Sequence, residues 1–384
     1  MPKTKIDTSK LRTWLEISRS AIKNNYEVFR RLIDPKVKLM AVVKSNAYGH
    51  GLVHFAHEIV ELGADYIGVD SIVEAERLRK EEIKIPILVL GYTRPENFWR
   101  AVEAEIEVAV SSFESLEFLL KNKKSFNNKK LKIHLKVDTG MHRQGFLFSE
   151  FPRALNLLKK LEEAVEVAGI FSHLMSSGGE KKFDPETKEQ ISLFKKFLGQ
   201  LDVAGFDVKK LIKHSCATGR SFVNSEVHFN MVRIGLGMYG LWPSEELEKR
   251  FSKKYPLKPV LEWKTILSEI KTLAEDGKIG YDFTEAVQKG MRIGICPIGY
   301  WHGFPRHLST IGEVLVNNKL AKVLGRVSMD MIAIDVTEIK DAKVEDVVTI
   351  IGEGMSAREI AKKINTSQYE IITRVNPLIK KFYL

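Results

Sequence analysis

Cysteine is scarce: the 384 residues carry two, Cys216 and Cys296. Neither sits in metal-binding or redox spacing, which excludes a disulfide framework and a zinc-ribbon site, and both read as free, buried thiols. Long apolar runs are missing too. None approaches the ~18 residues that a membrane helix needs. The opening residues, Met1 to Thr13, are polar and basic, without the apolar centre of a secretion signal. The expectation is a cytoplasmic protein with no membrane partner. No G-x-G-x-x-G motif opens a helix after a strand, which argues against a dinucleotide-binding sheet. Acidic residues are in deficit, with 49 Asp and Glu against 60 Lys and Arg, a net charge of +11. Such a surplus can mark a nucleic-acid binder. Here the lysines alternate with glutamates along helical stretches (Glu74–Lys84, Lys159–Glu163) and cluster only briefly, at Lys121–Lys124 and Lys129–Lys132. No nucleic-acid motif accompanies them. The reading is a solvated basic surface that mildly favours small anions, with no nucleic-acid partner.

What is present is a globular composition, 44% hydrophobic and 28% charged, in a chain long enough for two cores. Apolar, β-branched runs recur at Lys38–Val43, Tyr66–Val69, Ile87–Leu90, Glu107–Val110, Lys132–Val137, Val165–Phe171, Lys210–His214 and Met231–Ile234. Amphipathic helical stretches lie between most of them, such as Leu52–Leu62, Ile72–Lys80, Phe113–Leu120 and Phe151–Glu163. Eight strands alternating with helices predict an α/β fold, a TIM-like (β/α)8 barrel, over residues 12–250. After the charged, proline-bearing segment Glu245–Pro259 the texture changes to short Val-, Ile- and Gly-rich runs, which predict a mainly β domain over residues 251–384. Arg12–Ile17 is an extra strand expected to join that second domain. Ser356 with Glu359 forms a capping box that should start a helix near the C-terminus.

The stretch most suggestive of chemistry is residues 41–51, Ala-Val-Val-Lys-Ser-Asn-Ala-Tyr-Gly-His-Gly. A buried strand delivers Lys44 into a loop of small and polar residues. An amine so placed can form a Schiff base, and pyridoxal phosphate (PLP) is the commonest cofactor that uses one. Tyr48 could bond a phosphate oxygen, with Gly49 and Gly51 allowing close backbone approach. On spacing alone, an ordinary solvated lysine after a strand is the commoner outcome. A barrel adds its own expectation, because functional residues cluster at the carboxyl ends of its strands, with phosphate held after the seventh and eighth. Lys44, Arg143, His173, His214 and Arg233 all fall at or near such ends, and the Ser215–Ser221 turn and Gly235–Leu236 fall where phosphate would bind.

Residues 41–51 resemble the PLP-lysine signature of the alanine racemase family. Segments Leu135–Gly145, Ile170–Ser176, His214–Ser221, Asn230–Gly240, Ile279–Asp282, Pro297–Tyr300 and Gly325–Met331 resemble further motifs of that family, in the same order. The resemblance implies a PLP-dependent barrel plus β-domain, acting on a small amino acid as a homodimer with active sites at the interface. It implies Lys44 as Schiff-base lysine and acid/base on one face of the substrate, and Tyr281, from the partner subunit, as the acid/base on the other. Two bases are needed because one cannot sit on both sides of a planar carbanion. A tyrosine of pKa near 10 needs a cationic neighbour to act as a base, and His173 resembles the histidine that contacts it.

By the same resemblance Arg233 faces the pyridine nitrogen, and a guanidinium that does not give up its proton keeps the ring a weaker electron sink, favouring racemisation. Without the family context, a buried structural salt bridge is the commoner reading of Arg233. His214 orients Arg233. Tyr48, Thr218, Gly235 and Leu236 hold phosphate, Arg143 binds the substrate carboxylate, and Met329 offers its backbone to it. Lys136 stands where many members carry a carbamylated lysine. Three segments depart from the usual pattern. Tyr300-Trp301-His302-Gly303 lacks an acidic residue, Gly280-Tyr281-Asp282 replaces Ser-Tyr-Gly, and Thr373–Pro377 has no match to a site-narrowing tyrosine. The expectation is alanine racemisation; a broader amino-acid racemase and a non-catalytic PLP carrier are the alternatives.

Overall fold

The computed structural model describes residues 7–126, 129–176 and 185–384. The chain divides into two compact units. One comprises the described residues up to Ser20 with Tyr48–Gly51 and Pro259–Leu384, and the other Ala21–Ala47 with Leu52–Lys258.

An N-terminal strand, β1 (Thr13–Ile17), precedes eight parallel strands of the larger unit: β2 (Lys38–Val42), β3 (Tyr66–Val69), β4 (Ile87–Val89), β5 (Glu107–Val110), β6 (Leu131–Lys136), β7 (Val165–Phe171), β8 (Ile212–His214) and β9 (Met231–Ile234). They pair in chain order from β2 to β8, and β9 returns to the other side of β2. A single parallel bridge, Ala217 to Arg233, links the segments at β8 and β9 and closes the barrel. Buried on both faces, these strands read as continuous apolar runs, with β3, β4, β5 and β9 wholly buried. Helices begin where short polar side chains replace the amide partners missing in a first turn. Ser71 accepts from Glu74 N at 3.3 Å and Ser112 from Ser115 N at 3.4 Å. Two helices end earlier than the sequence pattern suggested, at Glu61 rather than Leu62 and at Lys159 rather than Glu163, and one runs on to Asn122 rather than Leu120. Both cysteines are buried and free.

The smaller unit is built on β10 (Leu261–Ile266), β11 (Glu269–Thr272), β12 (Gly277–Ile279), β13 (Glu285–Val287), β14 (Arg292–Cys296), β15 (Glu313–Val316), β16 (Lys319–Leu324), β17 (Ile332–Asp335), β18 (Val347–Ile351) and β19 (Lys380–Tyr383). Nine strands form one sheet in the order β11-β14-β17-β16-β15-β18-β10-β1-β19. Strand β1 pairs antiparallel with β10, Leu15 opposite Trp263, and parallel with β19, Leu15 opposite Lys381. The buried indole of Trp263 donates to Thr13 Oγ1 at 2.8 Å. The helix Ala357–Lys363 starts at the expected Ser356/Glu359 capping box. The β12–β13 hairpin, absent from the sequence reading, carries Tyr281 at its tip.

Candidate active site

Strand β2 ends at Val42, two residues before Lys44, and the chain then does something the sequence did not announce. Ser45, Asn46, Ala47 and Tyr48 all have positive φ, between 51° and 57°. They form a left-handed helical turn, closed by Ala47 N donating to Val43 O at 2.8 Å. Each such residue costs an L-amino acid roughly 1–2 kcal/mol, so something must hold the turn. Glu74 does part of this: Oε1 accepts from Asn46 N at 3.1 Å and Oε2 from Asp70 N at 2.9 Å. Asn46 Oδ1 in turn accepts from Leu52 N at 3.0 Å. The Lys44 ammonium, half-exposed, lies 3.2 Å from Asp70 Oδ1.

Arg233 projects from β9 into the barrel and is buried. It donates to His214 Nδ1 at 2.9 Å, His214 O and Ser172 O at 2.8 Å, and more weakly to His173 Nδ1 at 3.3 Å. Among the described residues no carboxylate lies within ion-pair distance of it, so it is not half of a direct salt bridge. Burial lowers its pKa to about 10, which still leaves it charged at neutral pH. His173 was expected to act as a cation. Burial, then the charges of Arg233, Arg143, Lys136 and Lys44, drive its pKa down to about 3. It is a neutral imidazole, and because a guanidinium can only donate, its Nδ1 is the acceptor and its proton sits on Nε2.

The loop after β6 folds back on the strand: Asp138 N donates to Phe146 O and Phe146 N to Lys136 O. Asp138 Oδ1 caps this loop from below, accepting from Gly140 N at 2.8 Å and His142 N at 3.1 Å. The fold leaves Arg143 exposed at the rim and brings Gln144 Oε1 within 2.6 Å of the buried Lys136 Nζ. Burial and the nearby charges of Arg143, Arg233 and Lys44 push the Lys136 pKa down to about 8.

At β8 and β9 two short helices begin without a side-chain cap, one after Ala217 and one after Gly235. The Thr218 hydroxyl ties them together, accepting from Gly235 N at 3.1 Å and Gly237 N at 3.4 Å. A Cβ on Gly237 would sit 2.3 Å from the Phe29 ring, so only glycine permits this approach. Strand register sets Ala41 opposite Ile234, so Lys44 and the Gly235–Leu236 turn leave the barrel from neighbouring strand ends. One barrel end thus gathers Lys44, Lys136, Arg143, His173, His214, Thr218, Arg233, Gly235 and Leu236. An amine, a buried guanidinium and a threonine hydroxyl set among backbone amides suit a phosphorylated aldehyde with a ring nitrogen, the chemistry of PLP.

Tyr48, Tyr281 and Met329 belong to the other unit. There Tyr48 packs against Tyr369 with ring centroids 5.9 Å apart. Tyr281 follows Gly280 (φ 81°) and is 70% exposed, and Met329 is 54% exposed. Beside the Tyr300–Gly303 motif, Asp330 Oδ1 lies 4.0 Å from His302 Nδ1. Sequence reasoning missed Asp70, Glu74 and Gln144. Each follows its strand by only a few residues, so position was the only available signal.

Fold and site together define a class: a parallel barrel with a lysine just beyond its first strand, in one chain with a β-domain. A family model described as alanine racemase, N-terminal domain, matches residues 17–243, and one described as alanine racemase, C-terminal domain, matches residues 260–383. An alanine racemase of Methanococcus maripaludis is 39% identical over 377 residues, covering 97% of this chain and 98% of the relative. A crystal structure of alanine racemase from Bacillus anthracis with bound L-Ala-P is 32% identical, covers 97% of this chain and 95% of its own, and superposes with a TM-score of 0.90. One from Bartonella henselae with covalently bound pyridoxal phosphate is 25% identical, covers 97% and 99%, and has a TM-score of 0.85. The chain belongs to the alanine racemase family.

Proposed function

We propose that this protein interconverts L-alanine and D-alanine, using PLP held by Lys44. The observation that carries the reading is Arg233: a buried guanidinium, bound by imidazole nitrogens and carbonyl oxygens, on the strand beside the one that leads to Lys44. When bound, PLP supplies an electron-withdrawing conjugated system that acidifies the substrate α-hydrogen.

The chain's own residues do the rest. Lys44 Nζ takes or returns the α-proton on one face. Tyr281 Oη of a partner subunit does so on the other, which makes the homodimer the working unit. The neutral His173 presents its Nε2–H as a donor to that phenolate, so the tyrosine is helped by a hydrogen bond within an electropositive site rather than by a cationic imidazole. Arg233 offers only donors toward the ring nitrogen. Thr218, Gly235, Leu236 and Tyr48 hold the phosphate. Arg143 takes the substrate carboxylate with its guanidinium fork, assisted by the Met329 backbone. Lys136, with its pKa depressed to about 8, keeps a neutral fraction at neutral pH that can add to carbon dioxide and release a proton; the resulting carbamate would sit among Arg143, Arg233 and Lys44 as their counter-charge.

The partner face is supported by exposed apolar side chains of the β-domain, with Phe283 69% and Trp301 57% exposed alongside Tyr281 and Met329. Backbone contacts join these segments: Trp301 N donates to Met329 O at 3.0 Å and Tyr300 N to Ser328 O at 3.1 Å. No helix among the described residues is long and apolar enough to cross a membrane, and a cytoplasmic setting is part of the proposal.

The test is loss of optical rotation with L-alanine, L-serine and L-lysine by the purified, PLP-loaded protein, alongside Lys44→Ala. Fastest turnover of alanine, abolished in the variant, is expected. Faster turnover of serine or lysine would replace the substrate, and no turnover of any would overturn the reading.

A further inference from the structure

Behind Arg233 a line of polar side chains crosses the apolar barrel interior. His214 Nδ1 accepts from Arg233 at 2.9 Å, and His214 Nε2 lies 2.8 Å from His134 Nδ1. His134 Nε2 lies 2.8 Å from Glu107 Oε2, and the Tyr66 hydroxyl donates to Glu107 Oε1 at 3.3 Å. All five side chains are buried, and they come from β9, β8, β6, β5 and β3.

The donor inventory leaves one proton arrangement. A guanidinium has no acceptor, so His214 Nδ1 must be bare and its proton must be on Nε2. That proton faces His134 Nδ1, which must then be bare, leaving the second proton on His134 Nε2, facing Glu107. A carboxylate closes the series by accepting from both His134 and Tyr66. Placing an extra proton on either imidazole would set two donors against each other, so the close His134–Glu107 contact is a hydrogen bond from a neutral ring rather than an ion pair. Burial and the adjacent Arg233 charge hold His214 neutral, and burial with the Glu107 charge keeps Tyr66 protonated.

The backbone is adapted to this line. Gly169 on β7 stands between His134 on β6 and Ile212 on β8, and a Cβ there would meet His134 Nδ1 at 2.4 Å and Ile212 O at 2.6 Å. Glycine at that point lets the imidazole pass beneath β7 to reach His214. The strand register also shifts between Ile133 and His134. At its far end the line borders a cleft of about 830 Å³ lined in part by Tyr66, Glu107, Lys132 and Asp207. Glu107 and Tyr66 therefore end the line at the wall of that cleft, at the opposite end from Arg233.

We propose that Glu107, acting through His134 and His214, is the counter-charge and orienting anchor of Arg233, a positioning residue for the reaction at the opposite end of the barrel. Two imidazoles of fixed tautomer carry the carboxylate's polarisation to Arg233 without placing an acid beside the ring nitrogen, where it would change the chemistry. In this arrangement the guanidinium keeps a fixed direction and a compensated charge, and it offers only donors toward the ring nitrogen.

The inference rests on the proposed racemase reading for its catalytic consequence, but its structural half is read on the protein without cofactor. The experiment is ¹⁵N NMR of the histidine rings in the PLP-free protein at pH 6 to 8, for wild type, Glu107→Gln and Glu107→Leu, followed by kcat and KM of the loaded proteins. In wild type His134 and His214 should both be neutral Nε2–H tautomers throughout. Glu107→Gln keeps an acceptor but removes the charge: tautomers should persist, kcat should fall about tenfold and KM should stay within about twofold, with a shifted visible band. Glu107→Leu should scramble the tautomers and fall further. An imidazolium at either ring in wild type overturns the relay, as does a Gln variant with wild-type kcat and band. Should the Leu variant not fold, wild type and Gln still decide. If wild type racemises nothing, the functional reading fails while the NMR result still judges the relay.

Discussion

Asp70 Oδ1 sits 3.2 Å from Lys44 Nζ, joining the ends of β3 and β2 across the candidate site. The pair is partly open to solvent, and exposed pairs of this kind are worth ~0.2–1 kcal/mol. It tethers the amine that must be free to condense with an aldehyde. Asp70→Asn should therefore speed the reaction of the cofactor-free protein with PLP at pH 7, by roughly two- to fivefold on that energy scale. Stopped-flow growth of the visible band measures it. A slower reaction would mean that Asp70 assists the condensation instead.

The partner-supplied tyrosine makes a sharper demand. Lys44→Ala and Tyr281→Phe should each be nearly inactive alone. After unfolding and refolding an equal mixture, half the dimers are mixed, and each holds one site with both groups. About a quarter of wild-type activity should return on symmetry grounds. No recovery would place Tyr281 in its own subunit's site or outside catalysis.

For Lys136 the pKa of about 8 means that an appreciable neutral fraction exists at neutral pH. Incubation with ¹³C-bicarbonate should produce a carbamate resonance that is missing from Lys136→Ala. Because the folded pKa lies below the ordinary lysine value, the unfolded chain holds more protons between about pH 8 and 10.5. Uncarbamylated protein should then gain stability relative to Lys136→Met as pH rises through that window. A difference that does not vary with pH there would contradict a buried, depressed lysine.

His173 carries the opposite end of the pH scale. Its folded pKa of about 3 lies below the ordinary 6.5, so the unfolded chain takes up the proton first as the solution is acidified. Stability contributed by the neutral ring is complete above about pH 6.5 and is lost as the pH falls toward 3. The stability gap between wild type and His173→Asn, from urea unfolding, should narrow from pH 7 to pH 5. A widening gap would mean that the ring is charged in the folded protein.

Gly49, at φ +87°, tests the strained segment after Lys44. A Cβ there would lie 2.2 Å from the carbonyl oxygen of Ile372. Gly49→Ala should cost at least ~2 kcal/mol, the scale of a forbidden backbone conformation combined with a backbone clash. Thermal unfolding checks this, and an unchanged midpoint would show that the segment relaxes freely.

The alternation of β-branched runs with amphipathic stretches was enough to predict the barrel, because a parallel strand buried on both faces has to be apolar throughout. Residues 41–51, with Arg143, His214 and Arg233, were singled out because they resemble motifs of one family and fall near barrel strand ends; on spacing alone Lys44 reads as an ordinary solvated lysine. What escaped was whatever depends on neighbours distant in sequence. The left-handed turn after Lys44 is held in part by Glu74, in the first turn of the helix after β3, which accepts from Asn46 N, and nothing in Ser-Asn-Ala-Tyr demands positive φ. The charge of His173 could not be read from a histidine at a strand end, since it is decided by burial beside Arg233. Glu107, His134 and Tyr66 look like incidental polar residues in three separate strands. Strand register and the missing side chain at Gly169 bring them into one hydrogen-bonded line. The sequence by itself determined which groups are available at the site; tertiary structure decided their protonation and direction, because both depend on desolvation and on which donor meets which acceptor.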